Sequence, residues 1–250
     1  MIALRTDNEI ERMALAGRLT AECMQEIAPM IRPGVSTAEL DRAAKRFIVD
    51  RGGRPSFLGY HGYPASLCAS VNEEVVHGIP GPRRLREGDI VGIDLGVILD
   101  GYQGDMARTF AVGAVSDAAR ALIDAAHDSF EAALAVMIPG NRLGDIGHAV
   151  QTLAESRGYG VVRELCGHGI GHDMHEDPEV PNYGQAGRGL RLRPGMVLAV
   201  EPMINAGTWR VKFLDDGWTV VTGDGSLSAH WENTVAVTAD GPRILTAADS

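Results

Sequence analysis

Leu85-Arg86-Glu87-Gly88-Asp89-Ile90-Val91-Gly92-Ile93-Asp94 returns 107 positions later as Leu192-Arg193-Pro194-Gly195-Met196-Val197-Leu198-Ala199-Val200-Glu201. Both stretches read Leu-Arg, a variable residue, Gly, and then an apolar run that closes on a carboxylate. The same offset carries His61-Gly62 onto His168-Gly169. An offset of 106 carries Pro33-Gly34 onto Pro139-Gly140, Glu39-Leu40 onto Asp145-Ile146, Ala43 onto Ala149, and Arg51-Gly52 onto Arg157-Gly158. Three blocks in nearly one register are hard to assign to a coincidence of common residues. The chain is therefore expected to be a single domain over 1–250, built from two related α/β halves at roughly 8–113 and 114–238. Two halves around a pseudo-twofold axis leave a seam between them, a common place for a pocket. One repeat of this length is no solenoid.

Local signals around this frame give helices and an antiparallel sheet, α+β by class. Ile10, Met13, Ala14, Leu19, Met24 and Ile27 set a helical spacing over 8–30, closed by Pro33-Gly34. Ser36 or Thr37 caps a second helix, with Glu39 completing a capping box. Residues 116–137 and 143–157 read as further helices, and 196–200 and 234–238 as strands. Residues 89–99 and 102–112 are β-rich runs joined by Asp100-Gly101, a strong two-residue hairpin signal.

That hairpin fixes a register. A two-residue loop at Asp100-Gly101 sets Asp94 opposite Ala107 and Asp105 opposite Gly96. Asp94 and Asp105 then become diagonal neighbours on one face, with Cα atoms roughly 7–8 Å apart. Asp94 sits inside an apolar run, and an ionised carboxylate buried there is costly without a compensating charge. Either Asp alone reads as a turn cap or a partner of Arg108; the two together call for a cation. Glu201 repeats the anomaly at the end of Val197-Leu198-Ala199-Val200, just ahead of Pro202. Glu232 does so before the apolar residues from Thr234 onward.

Histidines add nitrogen donors. Gly167-His168-Gly169-Ile170-Gly171 sets His168 between glycines, which allow close backbone approach and no packing of their own. His77 and His175 each open an H-x-x-P segment and serve either as ligands or as proton donors; the residues alone leave the two roles open. His61, His127, His148, His172 and His230 read as structural or surface residues. Four carboxylates and one imidazole suit Mn, Fe(II), Co or Zn better than a copper or thiolate site. Two such ions about 3.5–4 Å apart imply metal-assisted hydrolysis.

Bulk properties agree. With 250 residues the chain is long enough to bury a core without staples. A formal net charge of -10, from 23 basic and 33 acidic residues, argues against nucleic acid as the main partner. Cys23, Cys68 and Cys166 form no CxxC pair, which suggests a reducing compartment without a disulfide framework. There is no apolar signal core at the start and no run of about 18 apolar residues, so a cytoplasmic protein without a membrane span is expected.

At this point Leu58-Gly59-Tyr60-His61-Gly62-Tyr63-Pro64, Val71-Asn72-Glu73-Glu74-Val75-Val76-His77-Gly78-Ile79-Pro80, Asp94 through Asp105, the His168 glycine motif, Glu201-Pro202-Met203 and Trp231-Glu232-Asn233-Thr234 together resemble type I methionine aminopeptidase. The likeness runs from about Glu9 to Val237. It implies the pita-bread (creatinase/aminopeptidase) fold, two related halves around a central antiparallel sheet. It also implies removal of the initiator methionine from nascent proteins and peptides with a small, uncharged second residue. By resemblance, Asp94 chelates one metal, Asp105 and Glu232 bridge both, and His168 and Glu201 complete the second. A bridging water or hydroxide attacks the scissile carbonyl, with Glu201 shuttling its proton. His175 bonds the scissile carbonyl and oxyanion, and His77 contacts the scissile amide nitrogen. Tyr60, Tyr63, Cys68 and Trp218 form the methionine pocket, with Phe57 and Met174 at positions where the family varies. The resemblance further implies two divalent ions (Co, Mn, Fe(II), Zn or Ni), a monovalent cation near Asn72 and Ser228, a monomeric state, and substrates met near the ribosome.

The shorter type is expected on two counts. No segment with zinc-ligand cysteines precedes the first helix, and only 26 positions separate His175 from Glu201. Gly96 departs from the family, where a threonine is frequent, and a looser surround for the metal ligands is expected there. Proline-specific relatives usually carry a separate N-terminal domain. Non-catalytic relatives that bind protein or RNA, like the creatine-hydrolysing branch, lack the metal set, whereas all five ligands stand here.

Overall fold

A computed structural model describes residues 2–248 of the 1–250 chain, leaving Met1, Asp249 and Ser250 outside the described residues. Helix α1 spans Asp7–Ile27, and its N-cap Thr6 exchanges bonds with Glu9: the Glu9 N–H donates to Thr6 Oγ1 at 3.3 Å, and the Thr6 N–H to Glu9 Oε2 at 2.8 Å. The predicted helix over 8–30 changes to a 3₁₀ turn at Ala28–Met30. Pro29 has no N–H to continue the α-helical ladder, while Ala28 before it still keeps right-handed helical geometry. Helix α2 (Thr37–Asp50) begins at Ser36 with the expected Glu39 box, Ser36 N–H donating to Glu39 Oε2 at 2.8 Å. Helices α3 (Asp117–Ala135) and α4 (Leu143–Ser156) complete the second pair, capped at Ser116 and Arg142.

The strands in chain order are β1 (Arg54–Pro55), β2 (Leu67–Val71), β3 (Glu74–Val76), β4 (Ile90–Leu99), β5 (Tyr102–Ala111), β6 (Gly160–Val161) and β7 (Gly167–Gly169). There follow β8 (Glu176–Val180), β9 (Val197–Val200), β10 (Met203–Asn205), β11 (Val211–Phe213), β12 (Val220–Thr222), β13 (Ser228–Thr238) and β14 (Gly241–Ile244). Eleven form one sheet, with the path β1-β4-β5-β13-β9-β7-β8; β2 pairs with β4, β14 and β10 with β13, and β6 with β10. A three-stranded sheet, β11-β12-β3, stands beside it. All these pairings are antiparallel. This is the α+β, pita-bread architecture.

The β4–β5 hairpin adopts the predicted register, Asp94 facing Ala107 and Gly96 facing Asp105, with Asp100 and Gly101 at positive φ in the loop. β13 is longer than expected, because its first half, Ser228-Ala229-His230-Trp231-Glu232-Asn233, is mostly polar and contains no apolar run. Strand alternation separates two faces. Ile93, Leu95 and Val97 of β4 pack with α1 and α2, and Ala229, Val235 and Val237 of β13 pack with α3 and α4. Asp94, His230 and Glu232 therefore point away from the helices. The helix side holds the large apolar core, including fully buried Phe130, Leu40, Ile48 and Leu122, each contributing about 1.5–3 kcal/mol through burial. Stability is concentrated on one face of the sheet, leaving the other for chemistry.

The α1–β5 crossing is close. A Cβ on Gly104 would lie 2.8 Å from both the Cα and the nitrogen of Gly17, backbone atoms that cannot turn aside. Gly104→Ala is expected to destabilise the protein by about 1–3 kcal/mol in urea unfolding. Unchanged stability would show that the crossing is slack.

Candidate metal centre and substrate pocket

Sheet register assembles the site in rows. Cys68 pairs with Asp94, Asp94 with Ala107, and Ala107 with Glu232, so β2, β4, β5 and β13 present one row across the face. The methyl of Ala107 leaves room between the two carboxylates. Two residues along, Gly96 pairs with Asp105; further on, Thr234 pairs with Ala199 and Ala199 with His168. On the other flank Ser70, Gly92 and Thr109 lead to His230. Glu201 follows the last residue of β9, and Asn182 Nδ2 donates to its main-chain oxygen at 2.9 Å.

Two threonines hold the row ends where the β5–β13 ladder stops. The Asp105 N–H donates to Thr234 Oγ1 at 3.0 Å, and that hydroxyl donates back to the Asp105 carbonyl at 3.0 Å. Thr109 does the same for His230, at 2.9 and 3.0 Å. Each hydroxyl replaces a backbone pairing, so the main chain carrying a site residue stays satisfied where the strands diverge.

Arg108 neutralises neither Asp. Its guanidinium lies over the Trp231 ring at 4.2 Å and donates to Ala107 O and Asn233 Oδ1, both at 2.8 Å, and to Glu232 O. Asp94, Asp105, Glu201 and Glu232 converge, and among the described residues no Lys or Arg forms an ion pair with any of them. Burial raises all four; repulsion from neighbouring carboxylates adds to it at Asp94, Glu201 and Glu232, which stand well above the carboxylate range, while Asp105, eased by hydrogen bonds from the Met106 N–H and Asp94, is pushed up to about 7. Asp94 Oδ1 and Glu232 Oε1 are buried with no hydrogen-bond partner.

His168 completes a ligand set. Its Nδ1 bonds Gly169 O at 2.9 Å, which leaves Nε2 as the free nitrogen. Nε2 stands 3.6 Å from Glu201 Oε1 and 3.9 Å from Asp105 Oδ2. Asp105, His168 and Glu232 each offer an atom within 4.8 Å of the others. Orphaned carboxylate oxygens, a tautomer fixed by a carbonyl and oxygen-rich chemistry all fit a hard or borderline divalent ion.

His230 was not foreseen as a site residue. It is fully buried, with Nε2 unpartnered at 3.7 Å from Glu201 Oε2 and 4.0 Å from Glu232 Oε2. Glu201 thus stands between two imidazoles, one near each oxygen. Burial lowers His230 to about 3 and His168 to about 4, so both are neutral at pH 7. The signal lay in the i, i+2 spacing of His230 and Glu232, which shares a face only if the strand starts before Glu232.

The cluster opens on a cavity of ≈ 550 Å³, mouth included, also lined by Phe57, Tyr60, Tyr63, Cys68, His77, His175 and Trp218. Tyr63 OH is committed to Leu67 O and Gly78 O at 3.2 and 3.1 Å, so the tyrosine presents its ring. Trp218 packs edge-on against it at 5.0 Å and against His77 at 6.3 Å. The three-stranded sheet makes this meeting: His77 follows β3, Trp218 precedes β12, and β3 pairs with β12. Tyr60 OH and His175 Nδ1 are 2.7 Å apart, with their rings stacked at 5.3 Å.

Two expectations are corrected, at Met174 and at Gly96. Met174 does not line the cavity; it is 2% exposed in the core, its Cε 2.9 Å from where a Gly96 Cβ would lie. Met174 and Ser56 fill the space left by Gly96, so its missing side chain loosens nothing. Asn72 and Ser228, the pair expected near a monovalent cation, meet beside this cavity, Ser228 N–H donating to Asn72 O at 2.9 Å. Their side chains serve local structure: Asn72 bonds Asp89 and the Ile90 N–H, and Ser228 bonds Asn205.

The profile of metallopeptidase family M24 matches residues 11–239. The chain is 55% identical over 247 residues to a methionine aminopeptidase of Clostridium acetobutylicum, covering 98% of this chain and 99% of that protein. The crystal structure of methionine aminopeptidase from Rickettsia prowazekii superposes with a TM-score of 0.98 at 44% identity, covering 99% of this chain and 100% of that one. The prolidase from Pyrococcus horikoshii matches at a TM-score of 0.77 and 20% identity, over 98% of this chain and 64% of that one, a likeness of fold.

The raised carboxylates set a pH dependence for the metal-free protein. Their folded pKa values exceed the unfolded ones of about 4, so the stability they contribute is lost as pH rises through the folded values. His77, His168 and His230, lowered to about 4, 4 and 3, act oppositely below about pH 6.5. Above that, and below the range near about 8.5 where thiols begin to ionise, the raised carboxylates set the slope. In chelator, the thermal midpoint is expected to fall between about pH 6.5 and 8, and Mn²⁺ to abolish the fall. A midpoint that climbs with pH in chelator would contradict the assignment.

Proposed function

This chain belongs to metallopeptidase family M24, among its methionine aminopeptidases, and from that premise we propose that it trims nascent chains whose second residue is small and uncharged, using Asp94, Asp105, His168, Glu201 and Glu232 to hold two divalent ions. The supporting observation is a single cavity whose apolar end opens directly onto two buried and two half-buried carboxylates and an imidazole. When bound, such ions polarise the scissile carbonyl and supply a nucleophile at neutral pH.

The chain's own groups do the rest. Phe57, Tyr63, Cys68 and Trp218 enclose an unbranched apolar side chain and exclude water from it. Tyr60, whose hydroxyl burial keeps protonated, is assigned as the donor across the 2.7 Å to His175 Nδ1. That leaves the His175 proton on Nε2, where it bonds the carbonyl oxygen and the oxyanion that replaces it. His77, lowered to about 4 by burial, is neutral and bonds the scissile amide nitrogen. Glu201 accepts a proton at Oε2, the oxygen turned from His168, and returns it to the departing amine.

Metal-free protein supplied with Mn, Fe(II), Co or Zn is expected to release methionine from Met-Ala-Ser and far more slowly from a Met-Lys peptide. Cleavage of neither with any metal would sink the reading; equal cleavage of both would sink the small-residue preference. Glu201→Gln is expected to cut kcat by about 10²-fold or more in metal-saturated enzyme. Full activity in that variant would remove the proton-carrying role.

A further inference from the structure

Arg5 lies outside the cavity, yet it bonds both segments that deliver His175 and Glu201. Its backbone N–H donates to Gly195 O at 2.7 Å, in the turn that enters β9 and ends on Glu201. Its guanidinium reaches the other way and donates through Nη2 to both oxygens of Glu176, Oε1 at 2.5 Å. The two side chains are only 10% and 16% exposed, so water screens the pair weakly.

Glu176 distributes that anchor along a loop. Its Oε1 also accepts the backbone N–H groups of His172, at 2.9 Å, and Asp173, at 3.2 Å. His175 sits between these clamped amides and Glu176 itself. The sequence is shaped to admit the arginine: a methyl on Gly171 would overlap its guanidinium, and a Cβ on Gly195 would come within 2.8 Å of its carbonyl oxygen. The last glycine of Gly167-His168-Gly169-Ile170-Gly171 thus makes room for Arg5 rather than for a ligand.

We propose that Arg5 is a positioning residue for the reaction: through Glu176 it fixes the main chain of residues 172–176 and so aims His175 at the scissile carbonyl. Tyr60 holds the imidazole from the ring side, and Arg5 holds the backbone beneath it. The inference rests on the role given to His175 above. A geometric slip of about 1 Å at such a group costs on the order of 10²-fold, so loss of the anchor is felt in the rate.

The test uses Mn-saturated full-length enzyme on Met-Ala-Ser, with Mn affinity measured separately by calorimetry. Arg5→Met is expected to lower kcat about tenfold or more, with KM and Mn affinity changed by less than about twofold. Arg5→Lys, which keeps the charge and donors, is expected to recover part of the loss. In a His175→Ala background, Arg5→Met is expected to cost little more, because the two act through one group. Full kcat in Arg5→Met overturns the proposal. So does an undiminished cost in the His175→Ala background, or a matching loss of Mn affinity. Should Arg5→Met fail to fold, Arg5→Lys is compared across the same two backgrounds: a cost confined to the His175 enzyme supports the proposal, and equal costs or none in both overturn it. If His175→Ala alone retains the full rate, the reading of His175 fails instead.

Discussion

Mutual repulsion among Asp94, Asp105, Glu201 and Glu232 is the constraint around which the rest is arranged. Two unit charges about 4 Å apart cost about 4 kcal/mol even at an effective dielectric of 20. Four carboxylates held together at the site, with the Arg108 guanidinium spent on Ala107 O, Glu232 O and Asn233 Oδ1, cannot all ionise on their own. They take up either protons or metal. The raised pKa values and orphaned oxygens are two views of one unmet demand for positive charge. The demand is built into rigid strands, so the carboxylates cannot relieve it by swinging into solvent.

Holding that arrangement requires stability from elsewhere, and the sheet's two-residue period supplies the division. Ile93, Leu95 and Val97 of β4 and Ala229, Val235 and Val237 of β13 enter the helix-side core, and Asp94, His230 and Glu232 between them face the site. Small residues at Ala107 and Ala199 keep the site face open, and Gly96 admits Met174 and Ser56 beside it. Thr234 and Thr109 satisfy the backbone where the strands part, at Asp105 and His230. The site thus carries its strain in side-chain charge and leaves its main chain bonded.

How much of this could be read beforehand follows from the range of each signal. The β4–β5 register was legible because a two-residue loop fixes pairing locally, which put Asp94 and Asp105 on one face before any coordinates. The helix caps were legible for the same reason. Glu232 was recognised as a candidate but set before its strand, since the mostly polar first half of β13 hid the strand's start. His230 was passed over with it. Met174 was assigned to the pocket and packs behind Gly96 instead, a matter of how a loop returns on a strand. Arg5, Glu176 and Asn182 left no local mark, because their partners lie far along the chain and only folding makes them neighbours.

The distribution of regular and irregular backbone explains why those long-range polar contacts exist. Asp94, Asp105, His168 and Glu232 stand on strands, where ladder bonds fix their direction. His77 follows the short β3 with a positive φ, and His175 lies in a loop before β8. Loop residues lack ladder support, and a group that must meet a carbonyl oxygen needs placement as strict as any ligand. For His77 the enclosure comes from burial and from Trp218, carried on the second sheet. For His175 it comes from Tyr60 on one side and from the Glu176 clamp on the other. The buried charge of Arg5 is intelligible in that light: a shielded ion pair is an expensive way to add stability, and a direct way to hold a loop in one conformation.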